Sequence, residues 1–261
     1  MTRGHKTRKD GSPAYRSVRT PKPPPPPESL AELEELTDNL PPELRAYRDQ
    51  GLLSPQRRYY LEQVLGQRTR TLATILAGTH DPHNQAAVMR TCESLGIQEV
   101  HLALGDEPFR PSPKVTQNAH RWLDVVSHPD FAAVAGTLRG RGFNLFAATL
   151  EDRAESLYEI DFTRPVAVVF GSEPTGLPES ILAVCDGSFH IPMYGLSQSY
   201  NISVAAAITL SWAVESRRRA WGEPGDLDPE ELAALRRRFY ETATRRRSPS
   251  PPEPEPTTAS E

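Results

Sequence analysis

Between residues 71 and 220, short apolar runs alternate with stretches of helical periodicity, and this alternation constrains the fold more than anything else in the 261-residue chain. The runs TLATIL (71–76), VHLAL (100–104), NLFAATL (144–150), VAVVF (166–170) and FHIPM (189–193) are apolar on both faces. Strands of that kind belong to a parallel sheet buried from both sides. Helical patterns fall between them, over about 84–95, about 129–141, briefly after Gly176 and at length from about 201. The expected fold class is therefore α/β, a parallel sheet with helices on both faces.

Helices are expected to flank this core. Ser54 and Pro55 start one with a capping serine and a proline at its first position. Its residues Tyr60, Leu61, Val64 and Leu65 form the expected inner face, with Arg57 and Arg58 facing outward. Asp228 and Pro229 start another whose stripe Leu232, Leu235 and Phe239 docks it, leaving Arg236, Tyr240 and Arg247 on the other face. The resulting division is a basic, Pro-rich extension over 1–28 and an acidic helical extension over 29–53. The α/β domain with its first helix spans 54–221, a basic helix spans 228–247, and a tail spans 248–261. Both ends are too rich in Pro, Ser and Glu to bury a core and are expected to be disordered.

Only Cys92 and Cys185 occur, without metal-ligand spacing, which removes a disulfide framework and a zinc site and fits a reducing cytoplasm. No run approaches a membrane span, so a soluble protein is expected. A net charge of −4 argues against nucleic-acid binding by the whole surface, yet arginines cluster at 217–219, 236–238 and 245–247. Such runs either meet phosphate or form an ordinary solvated face.

In open α/β sheets ligands bind beyond the carboxyl ends of the strands, which directs attention to three loops. GSEPTG (171–176) has glycines at the outer positions of a phosphate-cradling loop, but Leu177 and Pro178 stand where Lys and Ser or Thr would be needed. The loop after the first run, AGTHDPHN, lacks the glycine pattern of dinucleotide sites. IPMYGLSQSYN (191–201) puts a polar run directly before an apolar helix, where a loop costs stability unless it binds something. Gly171, Gly176 and Gly195 leave room for close backbone approach, and Leu150, Ile191, Met193 and Val204 offer apolar walls.

Taken together, N-x-x-A-V-x-R-T-C-E-x-x-G, V-x-F-G-S-E-x-x-G and I-P-M-x-G-x-x-Q-S-x-N-I-S-V-A-A-A, in this order, resemble the three motifs of the SpoU branch of the SPOUT methyltransferases. The resemblance spans about Leu53 to Trp221 and is greatest to the branch that methylates the ribose of guanosine-18 in tRNA. It implies a C-terminal trefoil knot, which general topology rules would have argued against. It also implies S-adenosylmethionine as cofactor, held partly by Ser199 and Asn201, a homodimer, and tRNA as partner, with no metal. The implied catalytic set is Arg90, Asn84, Glu173, Ser199 and Asn201. Arg90 would activate the ribose 2′-hydroxyl, although a guanidinium is a poor base and a substrate phosphate would have to share that role. Asn84 would align it and Glu173 would organise the site. Without the motifs, Arg90 reads as a helix arginine tying down a carboxylate, and Ser199 or Asn201 as a helix N-cap.

The RNA-facing residues implied are Arg57, Arg58, Arg121, Arg236, Arg237, Arg245 and Arg246. His83 and His120 read as hydrogen-bonding residues near the site. Tyr200 stands where the family usually has leucine, and Asn118, Ala119 and Arg121 stand where Gly or Ser and lysine are more familiar. Two rival readings are an rRNA or other tRNA-position methyltransferase and a knotted RNA-binding module without catalysis.

Overall fold

The computed structural model describes residues 31–32, 40–104, 116–151, 153–172, 176–222 and 225–244. Seven strands form one sheet: β1 (Thr69–Ala77), β2 (Ile97–Ala103), β3 (Asp124–His128), β4 (Asn144–Ala148), β5 (Glu155–Ser156), β6 (Val166–Phe170) and β7 (Gly187–His190). Their order is β3-β2-β1-β6-β4-β7-β5 and every pairing is parallel. The α/β class is thus the observed one. Two strands go beyond the sequence reading, β3 and the short β5. Both lie at sheet edges, and the β3 sequence DVVSH is only partly buried, so it lacks the continuous apolar signal of the central strands.

The helices are α1 (Pro42–Asp49), α2 (Pro55–Leu65), α3 (Pro82–Leu95), α4 (Phe131–Arg139), α5 (Glu179–Leu182), α6 (Ile202–Trp221) and α7 (Pro229–Thr244). Strand alternation sends Leu72 and Leu76 of β1 into one core with Val88, Met89 and Cys92 of α3 and Ile202, Ala206 and Leu210 of α6. Ala73, Ile75 and Ala77 enter a second core, on the opposite face, with Phe131, Val134 and Leu138 of α4. Helix α3 begins at Asp81, whose side chain accepts from the His83 N–H, with Pro82 at the first position. It ends at Gly96, in the left-handed region at φ 80°, where a Cβ would lie 2.4 Å from the Gln67 carbonyl oxygen. That close approach starts the return into β2.

A third core joins Leu44 of α1, Leu61 and Leu65 of α2, and Leu235, Phe239 and Tyr240 of α7. It corrects two expectations. In α2 the buried residues are Arg58, Tyr59, Leu61 and Leu65, while Tyr60 and Val64 are exposed. Positions 58, 61 and 65 share a face at three- and four-residue spacing, and that face docks; Arg58 points inward, its Nη1 donating to the Leu53 carbonyl at 2.9 Å. Tyr240 is also fully buried, donating to Glu62 at 3.0 Å and lying edge-on to Tyr47, because α7 packs against α1 as well as α2.

The connection from α6 to α7 is held by buried polar contacts. Arg217 of α6 donates to the Phe162, Thr71 and Arg164 carbonyls, to the Thr69 and Thr71 hydroxyls, and to Asp226 at 3.3 Å. It is one of the arginines of the 217–219 run and has no free face; burial lowers its pKa to about 10. Cys92 is fully buried, with its thiol pushed up to about 12 by burial, and neither cysteine forms a disulfide. No described helix is long and apolar enough to cross a membrane.

Candidate active site

The loops after β1, β4, β6 and β7 meet at the carboxyl end of the sheet. There the loops after β4, β6 and β7 enclose a groove of about 530 Å³ with an apolar floor of Phe170, Phe189, Ile191 and Met193. Its rim carries Thr149, Leu150, Glu151, Ser172, Gln198, Ser199 and Tyr200. Of the residues expected to hold a cofactor, Leu150, Gly171, Gly176, Ile191, Met193 and Ser199 line this groove. Gly195 and Val204 do not line it, and Val204 on α6 is 44% exposed. Val204 sits on the outward turn of α6, whereas Ile202 and Ala205 face the groove.

Gly171 is required by packing. A Cβ there would come within 2.6 Å of the Gly176 carbonyl carbon and oxygen, because the loop folds back and the Gly176 N–H donates to the Ser172 carbonyl at 2.9 Å. Gly176 itself has φ +65°, a conformation that favours glycine. Glu173 lies outside the described residues. The loop after β1 is tied to the 171–176 loop: the Thr79 hydroxyl donates to the Gly171 carbonyl at 3.4 Å, and the buried Gln85 amide donates to the Thr79 carbonyl at 2.6 Å. Sequence reasoning missed Gln85. A glutamine in the first turn of a helix reads as solvent-facing, and only its place beside the β1 loop reveals its task.

Asn201 joins the third loop to the first. Its side-chain oxygen caps α6, accepting from the Ser203 N–H at 2.9 Å, while its amide donates to the Asn84 side-chain oxygen at 3.2 Å. The N-cap and the link to α3 are thus made by one side chain. Asn84 in turn lines a second cavity of about 620 Å³ with Thr79, His80, Asp81, Ser172 and Gly176, on the other side of the 171–176 loop.

Arg90 is not in the groove. It is exposed, without an ion pair among the described residues, and lines a separate cleft of about 510 Å³ between α3 and the turn at 116–122, which ends in a 3-10 helix (Ala119–Trp122). Six residues separate it from Asn84 on α3, a spacing that turns the two side chains to different sides of the helix. His83 sits at the exposed start of α3. His120 bonds to Thr116 at 2.7 Å, and burial and the nearby Arg121 hold its pKa below the ordinary value.

The arginines expected to face RNA divide. Arg57 is exposed, its guanidinium 5.7 Å from the centre of the Trp122 ring, at the edge of the cleft that Arg90 lines. Arg121 reaches back to the Thr242 carbonyl at 3.3 Å. Arg58 is buried, as above, and is removed from the surface set. Arg236 does not project freely as expected; it donates to both oxygens of Glu62, at 3.0 and 3.1 Å, because α7 docks with this edge toward α2. Arg237 is largely exposed, 3.9 Å from Glu43, and Arg238 pairs with Asp124. Arg245, Arg246 and Arg247 lie outside the described residues.

Another charged cluster lies at the β2–β3 edge. Arg70 and Arg141 both bond Glu99, and His101 lies between Glu99 at 3.4 Å and His128 at 2.9 Å. Burial alone would raise the Glu99 pKa, but hydrogen bonds from His101 and Arg141 and the arginine charges bring it down to about 2.

The profile of the family described as "SpoU rRNA Methylase family" matches residues 71–211, a span that includes all the loops of the groove. A relative in Thermus thermophilus named tRNA (guanosine(18)-2′-O)-methyltransferase is 38% identical over 176 residues, covering 67% of this chain and 90% of the relative. A solved A. aeolicus TrmH/SpoU tRNA modifying enzyme is similar at a TM-score of 0.65 and 26% identity, over 74% of this chain and 96% of that one. The SpoU methyltransferase AviRb from Streptomyces viridochromogenes, solved in complex with the cofactor AdoMet, is similar at a TM-score of 0.52 and 25% identity, over 59% of this chain and 60% of that one. Together, the order of the motifs, the parallel sheet that brings their loops to one end, and the match across that whole region establish that the chain belongs to the SpoU methylase family.

Proposed function

We propose that this chain transfers the methyl group of S-adenosylmethionine to the ribose 2′-oxygen of a tRNA guanosine, the one at position 18. The observation that carries the proposal is the meeting of the second and third motif loops on one groove, with Asn201 of the third bonded to Asn84 of the first, in a chain 38% identical to a tRNA (guanosine(18)-2′-O)-methyltransferase over 90% of that relative. The groove fits the cofactor: apolar Phe170, Phe189, Ile191 and Met193 suit a purine ring, and Thr149, Glu151, Ser172 and Gln198 supply polar partners for a ribose and an amino-acid end. Bound there, S-adenosylmethionine supplies an electrophilic methyl group on its sulfonium.

What remains for the protein is orientation and proton management. Asn201 holds the third loop against Asn84, and Asn84 aligns the ribose at the groove's rim. Arg90 sits in the separate cleft between α3 and the 116–122 turn, where its guanidinium binds a substrate phosphate and stabilises the ribose oxyanion as the proton leaves. Glu173 organises the 171–176 loop, and Ser199 lines the cofactor side. Arg57 and Arg121, at and beside this cleft, extend the contact to the RNA backbone with salt-dependent affinity, joined by Arg237, Arg245 and Arg246. The chain acts as a homodimer in the cytoplasm, with the 191–201 loop drawn into a trefoil knot that grips the cofactor.

The family description names rRNA, which favours rRNA as the second reading. Labelled S-adenosylmethionine with total tRNA and rRNA, followed by mapping of the 2′-O-methylated nucleotide, separates the two. Label at tRNA guanosine-18 supports the proposal, and label confined to rRNA replaces the substrate. A folded protein that binds RNA without transferring label is a binding module. In the same assay Arg90→Ala is expected to retain cofactor binding and lose methyl transfer by about 100-fold, the scale of a positioned proton-transfer group.

A further inference from the structure

The cleft that Arg90 lines also holds one carboxylate, Glu93, the only acidic residue among its described lining; Ser94, Thr116, Gln117 and Trp122 complete the wall. Arg90 and Glu93 stand three apart on α3, so they share a face about 4.5 Å apart along the axis. An ordinary surface glutamate would swing freely. This one is pinned: Arg68, whose side chain is fully buried and lies over the Phe239 ring, donates to Glu93 Oε1 at 3.1 Å. The carboxylate is still about one-third exposed, and its other oxygen has no partner among the described residues. The opposite wall is a turn in which Gln117 takes φ of 48°, uncommon for a residue other than glycine, and Asn118 takes φ of 66°, a conformation asparagine tolerates.

A fixed carboxylate beside a ribose-activating arginine selects among bases. Guanine presents two adjacent donors in one plane, N1–H and the 2-amino group, and a carboxylate accepts both. Uracil offers one N–H flanked by two carbonyls that repel an anion. Adenine and cytosine each offer an amine beside a ring acceptor, which leaves one carboxylate oxygen facing a lone pair. Among the RNA bases, the site's charge therefore matches guanine alone, and the match is made in a single-stranded nucleotide turned into the cleft.

We propose that Glu93 is the residue that reads the base of the methylated nucleotide, accepting the N1–H and 2-amino hydrogens of guanine while Arg90 of the same helix face attends to its ribose and phosphate. Arg68 is then a positioning residue, holding the carboxylate in place before the RNA arrives. The proposal rests on the guanosine methyltransferase reading above.

The test compares kcat/KM for tRNA transcripts carrying guanosine or inosine at the target position; inosine keeps N1–H and lacks the 2-amino group. Wild type is expected to prefer guanosine by about tenfold, the usual worth of one hydrogen bond to a charged group. Glu93→Gln is expected to slow guanosine methylation by about tenfold or more and to bring the guanosine-to-inosine ratio close to one, with S-adenosylmethionine binding by calorimetry unchanged. If Glu93 merely compensates Arg68, both substrates slow equally and the ratio survives, which overturns the proposal. The wild-type ratio is independent of how the variant folds, and equal wild-type rates on the two transcripts overturn it as well. Transfer by wild type to a nucleotide other than guanosine overturns the functional reading together with this one; transfer to guanosine with an unaltered ratio in Glu93→Gln overturns only the role of Glu93.

Discussion

Asn201 does two jobs that substitution can separate. Its side-chain oxygen caps α6 and its amide bonds Asn84 across to α3. Alanine removes both. Loss of an N-cap costs about 1 kcal/mol and loss of a solvent-exposed amide bond about 0.5 kcal/mol, so Asn201→Ala is expected to destabilise by about 1.5 kcal/mol. For a folded region of this size that lowers the melting temperature by about 3–6 °C. Serine keeps the cap, since its hydroxyl reaches the same N–H groups, but it is too short to bond Asn84. Asn201→Ser is therefore expected to melt within about 1 °C of wild type while kcat/KM falls about tenfold or more, the cost of releasing a residue that aligns the substrate. Differential scanning calorimetry and a methyl-transfer assay on the three proteins provide the comparison. Wild-type turnover in Asn201→Ser would show that the bond between the helices has no part in the reaction. An unchanged melting temperature in Asn201→Ala would remove the capping argument.

Two further outcomes are expected. Gly171→Ala places a Cβ 2.6 Å from the Gly176 carbonyl, so the loop must open, at about 1–3 kcal/mol of strain. S-adenosylmethionine affinity should fall about tenfold or more by calorimetry, and undiminished affinity would refute the role given to this turn. Glu99 has a folded-state pKa of about 2, below its ordinary 4.5. Its stabilisation is thus complete above about pH 4.5 and is lost as pH falls toward 2; at neutral pH it amounts to at most about 3 kcal/mol. Urea unfolding of wild type and Glu99→Gln across pH 2–7 should show a difference that closes over that window, and a constant difference would contradict the assignment.

Much of the site was legible before any coordinates. The runs around Ile75 and Val168 are apolar on both faces, which only a parallel sheet covered twice can use, and that architecture puts functional loops beyond the strands' carboxyl ends. Gly171, Gly176 and Ser199, which line one groove, could be picked out because the motifs that contain them are short and their spacing is local. The basic runs were the opposite case. Arg58, Arg217 and Arg236 look alike as letters in an arginine-rich helix, yet one binds a carbonyl, one closes a buried network and one is held by Glu62.

The partition has a physical cause. Strand and helix identity follow from periodicity, and turns and caps from the conformations a few residues allow, so all of these can be read within a window of ten or twenty positions. Whether a charged side chain is surface or core depends on which distant element covers it. Arg217 meets Thr69 and Thr71 nearly 150 residues earlier, and Glu93 is fixed by Arg68 of the segment that leads into β1. The sequence by itself determined the central strands of the sheet, the helices between them and the loops beyond their carboxyl ends. Only the packing of α1, α2 and α7 against one another decided which of their arginines remain available, and only the fold placed Glu93 and Arg90 in one cleft with Trp122, because desolvation and pairing are properties of the assembled surface.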